Sequence, residues 1–199
     1  MDDARIIDAV MKLGVLVFSL CLHEFGHAYA AYRLGDPTAK MLGRMTIDPR
    51  AHVDPIGTIL FPLMMFLFPS LILFGWAKPV PVTVENLRKP RRDGALVALA
   101  GPLMNLLLAL LSLGVLVLLG VTSVFGMEEG WASMIFQFVQ FFLFMNIGLA
   151  VFNLIPIYPL DGSWILKALL PPRWAYQVSR YDRYGFIVLF MLFILLRNL

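Results

Sequence analysis

The sequence predicts an all-α integral membrane protein: a polytopic helical bundle with about four spanning helices, one re-entrant or broken apolar segment and a short extended segment. The chain has 199 residues, of which 60% are hydrophobic and 15% are charged, whereas soluble domains average about 25% charged residues. Its mean hydropathy is +0.80. Several apolar runs reach the length of about 20 residues that a helix needs to cross a bilayer.

The charge pattern fits the same class of protein. The net charge of +3 is small, and the basic residues lie between the apolar runs. We interpret them as determinants of membrane topology and expect the lipid bilayer as a partner, with no nucleic-acid partner. This length predicts one transmembrane domain over residues 1–199. The single cysteine, Cys21, excludes an intrachain disulfide.

Four apolar segments are candidates for spanning helices, and they cover residues 6–34, 94–122, 131–153 and 183–198. A fifth run, 57–75, contains Pro62 and Pro69. Because proline interrupts helical hydrogen bonding, we expect this run to be broken or re-entrant. The alternation of proline and valine over 79–82 is typical of an extended segment. That segment is either an edge that could pair with an unwound strand or a structural loop.

The first apolar run carries a chemical motif, since residues 23–27 read His-Glu-Phe-Gly-His. Two histidines four positions apart lie on one helix face, because a turn takes about 3.6 residues. His23 and His27 can therefore bind one zinc ion, with Glu24 beside it as a general base for water. Ionisable residues are costly in lipid, and their presence there indicates a functional site.

Two further motifs contain polar residues next to prolines. Asp161 follows Pro156 and Pro159 at the end of the 131–153 run, where it is either a third zinc ligand or the cap of the next helix. Asn105 follows Gly101-Pro102 near the start of the 94–122 run. Its amide could donate a hydrogen bond to a substrate carbonyl or oxyanion, or it could join neighbouring helices.

Together these motifs resemble the site-2 protease family of intramembrane zinc metalloproteases, peptidase family M50. The resemblance covers nearly the whole chain and rests on residues 23–27, 101–105 and 153–162. Residues 76–82 are similar to the compact, prokaryotic-type branch, so we expect no PDZ or CBS module in these 199 residues.

The resemblance also implies a function and a set of site residues. One zinc ion per chain would be bound by His23, His27 and Asp161, and Glu24 would be the catalytic base. Substrate or oxyanion would be held by Asn105 and Asn153. The expected activity is that of a zinc metalloendopeptidase that cleaves a membrane-tethered protein in or near a transmembrane segment, as in regulated intramembrane proteolysis.

Membrane topology constrains this prediction, since all three ligands must lie at one depth. If 57–75 simply crossed the bilayer, Asp161 would lie at the face opposite to the two histidines. Re-entry of 57–75 brings all three ligands to the same side. It also gathers most of the basic residues there, including the cluster at 88–92. The positive-inside rule then predicts a multi-pass protein of the cell membrane with its site toward the cytoplasm.

Two other functions use the same ligands: a zinc-binding membrane transporter and an inactive membrane scaffold. A transporter usually has more polar residues along its path than this chain contains. A structural zinc site is usually closed by four protein ligands and has no need of Glu24.

Overall fold

A computed structural model describes residues 3–68, 75–123 and 129–197, and every regular element in these ranges is helical. The three long helices are α1 (Asp3–Leu34), α5 (Pro90–Ser123) and α6 (Glu129–Asn153). The shorter helices are α2 (Thr38–Met41), α3 (Pro49–His52), α4 (Phe61–Leu67), α7 (Asp161–Leu169), α8 (Pro172–Ser179) and α9 (Gly185–Arg197). A π-helical turn, Pro55–Leu60, precedes α4, and 3₁₀ turns cover Val84–Asn86 and Asp182–Tyr184.

Three helices are long and apolar enough to cross a membrane among the residues described: Arg5–Leu34, Pro90–Gly120 and Met134–Asn153. They correspond to the predicted spans 6–34, 94–122 and 131–153. In the most apolar 18-residue stretch of each helix, only 28%, 17% and 11% is buried inside the protein. Most of the apolar surface of these helices is therefore available to lipid. The chain is therefore a multi-pass, all-helical membrane protein, as the sequence predicts.

The C-terminal apolar segment differs from the prediction. Its helix, α9, has 13 residues and is about 20 Å long at 1.5 Å per residue. This length is short of the hydrocarbon core of about 30 Å, and a 3₁₀ turn precedes the helix. A fourth span at 183–198 is therefore not found within the described ranges, and residue 198 lies outside them.

The two ends of the proline-containing run at 57–75 lie next to each other. The N–H of Trp76 donates to the carbonyl of Gly57 over 3.1 Å, and Thr58 Oγ1 donates to the carbonyl of Trp76 over 2.7 Å. Residues 69–74 lie outside the described ranges. The segment from 75 to 83, called the extended segment below, forms neither helix nor strand in the structure, and its extended conformation stays a prediction.

The end of α1 lies beside the start of α5. Gly35 adopts a φ of 117°, and the N–H of Asp36 donates to the carbonyl of Ala31 over 2.9 Å. A glycine in this conformation is the usual end of a helix, because the backbone turns back on the last carbonyls. The N–H of Arg88 then donates to the carbonyl of Leu34 over 3.2 Å. The chain between α1 and α5 therefore makes no net advance along the helix axes.

Asp36 joins the extended segment to the end of α1. The carboxylate is fully buried and accepts hydrogen bonds from the N–H of Thr83 at 2.7 Å, from Asn86 Nδ2 at 3.0 Å and from the N–H of Thr38 at 3.0 Å. Burial raises the pKa of Asp36, but the hydrogen bonds from Asn86, Thr38 and Thr83 together lower it more. The pKa of Asp36 is therefore below its usual value.

Small residues let α1 and α5 approach each other closely. A Cβ atom added at Gly26 would lie 2.9 Å from the carbonyl oxygen of Ala100, so only glycine fits there without a shift of backbone. Such small residues are common where membrane helices meet. α5 also packs against α6 and α7. The histidine face of α1 is thus held against the first turns of α5.

Candidate metal centre

Three predicted ligands converge on one point in the structure. His23 and His27 lie on successive turns of α1 and are 4% and 8% exposed. Their Nε2 atoms are 3.0 Å apart. Asp161 Oδ2 lies 3.2 Å from His23 Nε2 and 3.3 Å from His27 Nε2. The structure thus brings together, from α1 and α7, the three side chains that the sequence predicts to share a metal ion.

The turn between α6 and α7 puts Asp161 in this position. α6 ends at Asn153, and the chain reverses through a turn that contains a cis peptide bond before Pro159. Asp161 is the first residue of α7. Gly162 packs so tightly that a Cβ atom there would lie 2.5 Å from the carbonyl oxygen of Ile155. The glycine therefore permits the close packing that aims the first turn of α7 at the histidines.

Hydrogen bonds at the Nδ1 atoms determine the tautomers of both histidines. His27 Nδ1 donates to the carbonyl of Val97 over 2.7 Å, and His23 Nδ1 donates to Asn105 Oδ1 over 2.6 Å. With hydrogen on Nδ1, a neutral imidazole presents a lone pair at Nε2. Asp161 Oδ2 is a buried oxygen without a hydrogen-bond partner. Three electron-pair donors therefore face one another, which is favourable only with a cation between them.

The spacing and chemistry of these atoms fit zinc. Zinc binds nitrogen and oxygen ligands tetrahedrally at about 2.0–2.1 Å, which separates neighbouring ligand atoms by about 3.3–3.4 Å. Gly101 keeps the adjacent space open, since a Cβ atom there would contact His27 Nε2 and would lie 2.6 Å from His23 Cε1. Two imidazoles and one carboxylate leave a fourth position open, as in catalytic zinc sites.

Glu24 is held next to this centre by the extended segment. The side chain is 9% exposed, and its Oε2 accepts a hydrogen bond from the main-chain N–H of Val80 over 2.9 Å. The segment itself is fixed on either side of Val80. The N–H of Lys78 donates to the carbonyl of His52 over 2.9 Å, and Thr83 is bound by Asp36. The position of the carboxylate therefore depends on the register of this segment.

The centre opens into a large cavity with mostly apolar walls. Its volume is about 740 Å³, and its polar lining includes Glu24, Asn153 and Asp161. Asn153 Nδ2 donates to the carbonyl of Leu149 over 2.9 Å. Because an amide nitrogen carries two hydrogens, Asn153 retains a donor beyond this bond. A cavity of this size and character is typical of a ligand-binding site.

Asn105 lies behind His23 and is not among the residues that line the cavity. It is fully buried, and its Nδ2 donates to Asn146 Oδ1 over 2.9 Å. Contact between Asn105 and substrate stays a prediction. Sequence reasoning missed Asn146 and Val80, as well as Ser19, although Ser19 precedes His23 by four positions and so lies on the same helix face.

Comparison with known proteins places the chain in a family. The model of peptidase family M50 matches residues 11–131 and 118–196. The "Putative zinc metalloprotease YwhC" of Bacillus subtilis is 41% identical over 181 residues, which are 90% of this chain and 78% of that protein. The "Putative zinc metalloprotease Rip2" of Mycobacterium tuberculosis is 34% identical over 185 residues, which are 93% of this chain and 67% of that protein.

The search of solved structures gave no significant match. The family model and both relatives extend over most of the chain, and the match to the family model includes the two histidines and Asp161. The chain belongs to peptidase family M50 and is a zinc metalloprotease by that membership.

Proposed function

We propose that this M50 protein is an intramembrane zinc metalloendopeptidase that hydrolyses a peptide bond in or near a transmembrane segment of a membrane-tethered protein. One observation carries the proposal: His23, His27 and Asp161 converge on a point that opens into a cavity with mostly apolar walls. Glu24 lines the same cavity. The two histidines belong to a helix that is apolar and long enough to cross a membrane.

Each residue has a distinct role in this reaction. His23, His27 and Asp161 hold the zinc ion, which would polarise the peptide carbonyl and lower the pKa of water. Glu24 takes the proton of the attacking water and passes it to the leaving amine. Asn153 lines the cavity and has a second amide hydrogen with which to hold the substrate carbonyl or the developing oxyanion.

The substrate must unwind, because a transmembrane helix uses its carbonyl groups in its own hydrogen bonds. We therefore expect helix-breaking residues near the cleavage site. The extended segment offers limited pairing to an unwound strand. Pro79 and Pro81 have no N–H, and the N–H of Val80 is bound to Glu24. A substrate that pairs there would donate its own N–H groups to the carbonyls of this segment.

The proposed topology includes re-entry of the 57–75 run and a site toward the cytoplasm. Two contacts support re-entry: Trp76 with Gly57 at the two ends of the run, and Arg88, which precedes α5, with Leu34 at the end of α1. Cysteines at residues 44 and 88, in a Cys21→Ala background, should react with an impermeant maleimide from the same face. Reaction from opposite faces would refute re-entry, and labelling of both from the periplasmic or external face would refute the proposed orientation.

The decisive experiment reconstitutes the protein in liposomes with a membrane-tethered candidate substrate. Wild type should cleave the substrate, and Glu24→Gln should lose cleavage while it retains zinc. Glu85→Gln is the matched control, because Glu85 is exposed and is not among the cavity residues. Persistent cleavage by Glu24→Gln would refute the assigned base. Zinc flux without cleavage would favour a transporter, and zinc binding with neither activity would favour a scaffold.

A further inference from the structure

A series of hydrogen bonds between buried polar side chains joins the zinc ligand His23 to α6. Ser19 on α1, Asn105 on α5 and Asn146 on α6 are all 0% exposed, and each lies in an apolar spanning helix. Polar side chains are costly in such an interior unless they are hydrogen-bonded. Here each one bonds to another helix: Asn105 to Asn146 over 2.9 Å and Asn146 to Ser19 Oγ over 3.0 Å.

The donor and acceptor roles in this series of hydrogen bonds are fixed at the end farthest from His23. Asn146 Nδ2 donates to the main-chain carbonyl of Phe142 over 2.9 Å. A carbonyl oxygen only accepts hydrogen bonds, so the nitrogen end of the Asn146 amide must face Phe142. Asn146 Oδ1 therefore faces Asn105 and accepts from its Nδ2. That leaves Asn105 Oδ1 to face His23 Nδ1, at a distance of 2.6 Å.

The two histidines differ in what determines their tautomers. His27 bonds to a main-chain carbonyl, that of Val97, which can only accept. His23 bonds to a side-chain amide, which could turn over and present its nitrogen instead of its oxygen. A donor at that place would favour hydrogen on His23 Nε2 and would remove the lone pair that a metal needs. Something must therefore hold the Asn105 amide in one orientation.

We propose that Asn146 is a positioning residue for the zinc site: it locks the Asn105 amide and thereby keeps His23 in the tautomer that binds metal. The inference rests on the proposed zinc site. It assigns to Asn105 the role of hydrogen-bond acceptor for Nδ1 of the zinc ligand His23. Ser19 accepts from Asn146 through its hydroxyl and from Asn105 through its carbonyl, the latter over 3.5 Å. Ser19 thereby connects this series of hydrogen bonds back to α1, the helix that carries both histidines.

The test measures zinc affinity by competition with a chelator, on the purified full chain. Asn146→Leu removes the lock and should weaken zinc binding by about 10- to 100-fold, the usual effect of losing a partner of a metal ligand. Asn146→Asp should bind zinc nearly as wild type does, because its carboxyl group can accept from Asn105 and, as the neutral acid, donate to Phe142. Ser112→Ala is the matched control, since Ser112 is a buried hydroxyl on α5 that donates to the carbonyl of Leu108 within its own helix.

A double-mutant cycle separates positioning from general loss of packing. If Asn146 acts through Asn105, Asn146→Leu should add nothing to the loss of zinc affinity caused by Asn105→Leu. Additive losses, or wild-type zinc affinity in Asn146→Leu, would overturn the inference and leave the zinc site intact. Failure of wild type to bind zinc would overturn both proposals.

A second measurement needs no variant that could fail to fold. In zinc-free wild type labelled with ¹⁵N-histidine, nuclear magnetic resonance should find His23 with hydrogen on Nδ1. Hydrogen on Nε2 of His23 in the neutral state would overturn the inference.

Discussion

Removal of the main-chain N–H at Val80 should slow the reaction without loss of zinc. This N–H is the donor to Glu24 Oε2, and Val80→Pro deletes it. Proline is suited to this position, because Val80 lies between Pro79 and Pro81 and outside any helix or strand. A residue before proline already favours the extended region that proline itself adopts. The substitution therefore changes one hydrogen bond more than it changes the path of the chain.

The expected magnitude follows from the kind of hydrogen bond lost. A hydrogen bond to a charged group contributes about 1.5–3 kcal/mol, and each 1.36 kcal/mol of activation free energy changes a rate about tenfold. If the bond serves to aim Glu24 in the transition state, kcat should fall by about 10- to 150-fold while KM changes little. Val80→Ala keeps the N–H and shortens the side chain that lines the cavity, so it should affect KM more than kcat.

The assay is cleavage of a reconstituted substrate, with zinc content measured on the same samples. Hydrogen exchange gives a second readout, because the neighbouring prolines have no amide hydrogen and isolate the signal of Val80. Its exchange should be slow in wild type and in Glu24→Gln, which keeps an oxygen acceptor, and faster in Glu24→Ala. Equal kcat in Val80→Pro and Val80→Ala, or equal exchange in all three proteins, would refute this role of the segment.

Three further predictions concern the glycine beside the zinc ligands, the removal of zinc and the buried carboxylate of Asp36. Gly101→Ala should weaken zinc binding by about 100-fold, because its methyl group would displace His23 and His27; Gly114→Ala, on the same helix with open space around it, should bind zinc normally. Chelation should abolish cleavage, and zinc restored at about 100 times its Kd should recover activity and add about 2.7 kcal/mol to the unfolding free energy in detergent. Because the pKa of Asp36 is lowered in the folded state, its contribution to stability should be complete above the unfolded value of about 3.9 and should be lost as pH falls from there toward the folded value. Thermal unfolding between pH 3 and 6 should show this loss in wild type and a shallower one in Asp36→Asn, which should be less stable by about 1–3 kcal/mol near neutral pH.

Helical periodicity made the ligands on α1 predictable. His23, Glu24 and His27 lie within one segment, and an α-helix fixes the relative directions of side chains four positions apart. Asp161 was added as a third ligand by the family resemblance of its motif, and the need to bring it to the depth of the histidines then predicted re-entry of 57–75. The three long spans were predictable for a related reason, since the length of an apolar run is a local property that directly reflects the thickness of the bilayer.

The fourth span was harder to predict because local breaks decide it. Hydropathy treats 183–198 as one apolar run, but the chain forms a 3₁₀ turn at Asp182–Tyr184 and only 13 residues of helix after it. Gly185 lies in tight contact there, since a Cβ atom would lie 2.8 Å from the carbonyl carbon of Tyr158. The helix therefore starts where Gly185 packs against the turn that precedes Asp161. A hydropathy average over 183–198 does not include this contact.

What holds the ligands was unpredictable for a different physical reason. The direction of an amide has no signature in the sequence, because it depends on which partner it meets across the fold. His23 and Asn105 are 82 positions apart, and Ser19 and Asn146 are 127 positions apart. The same applies to the N–H of Val80, whose acceptor is 56 positions away. A motif can therefore name the atoms that meet zinc and the base beside them, but the tautomer of one ligand and the aim of the base depend on contacts that exist only once α1, α5, α6 and the extended segment have packed together.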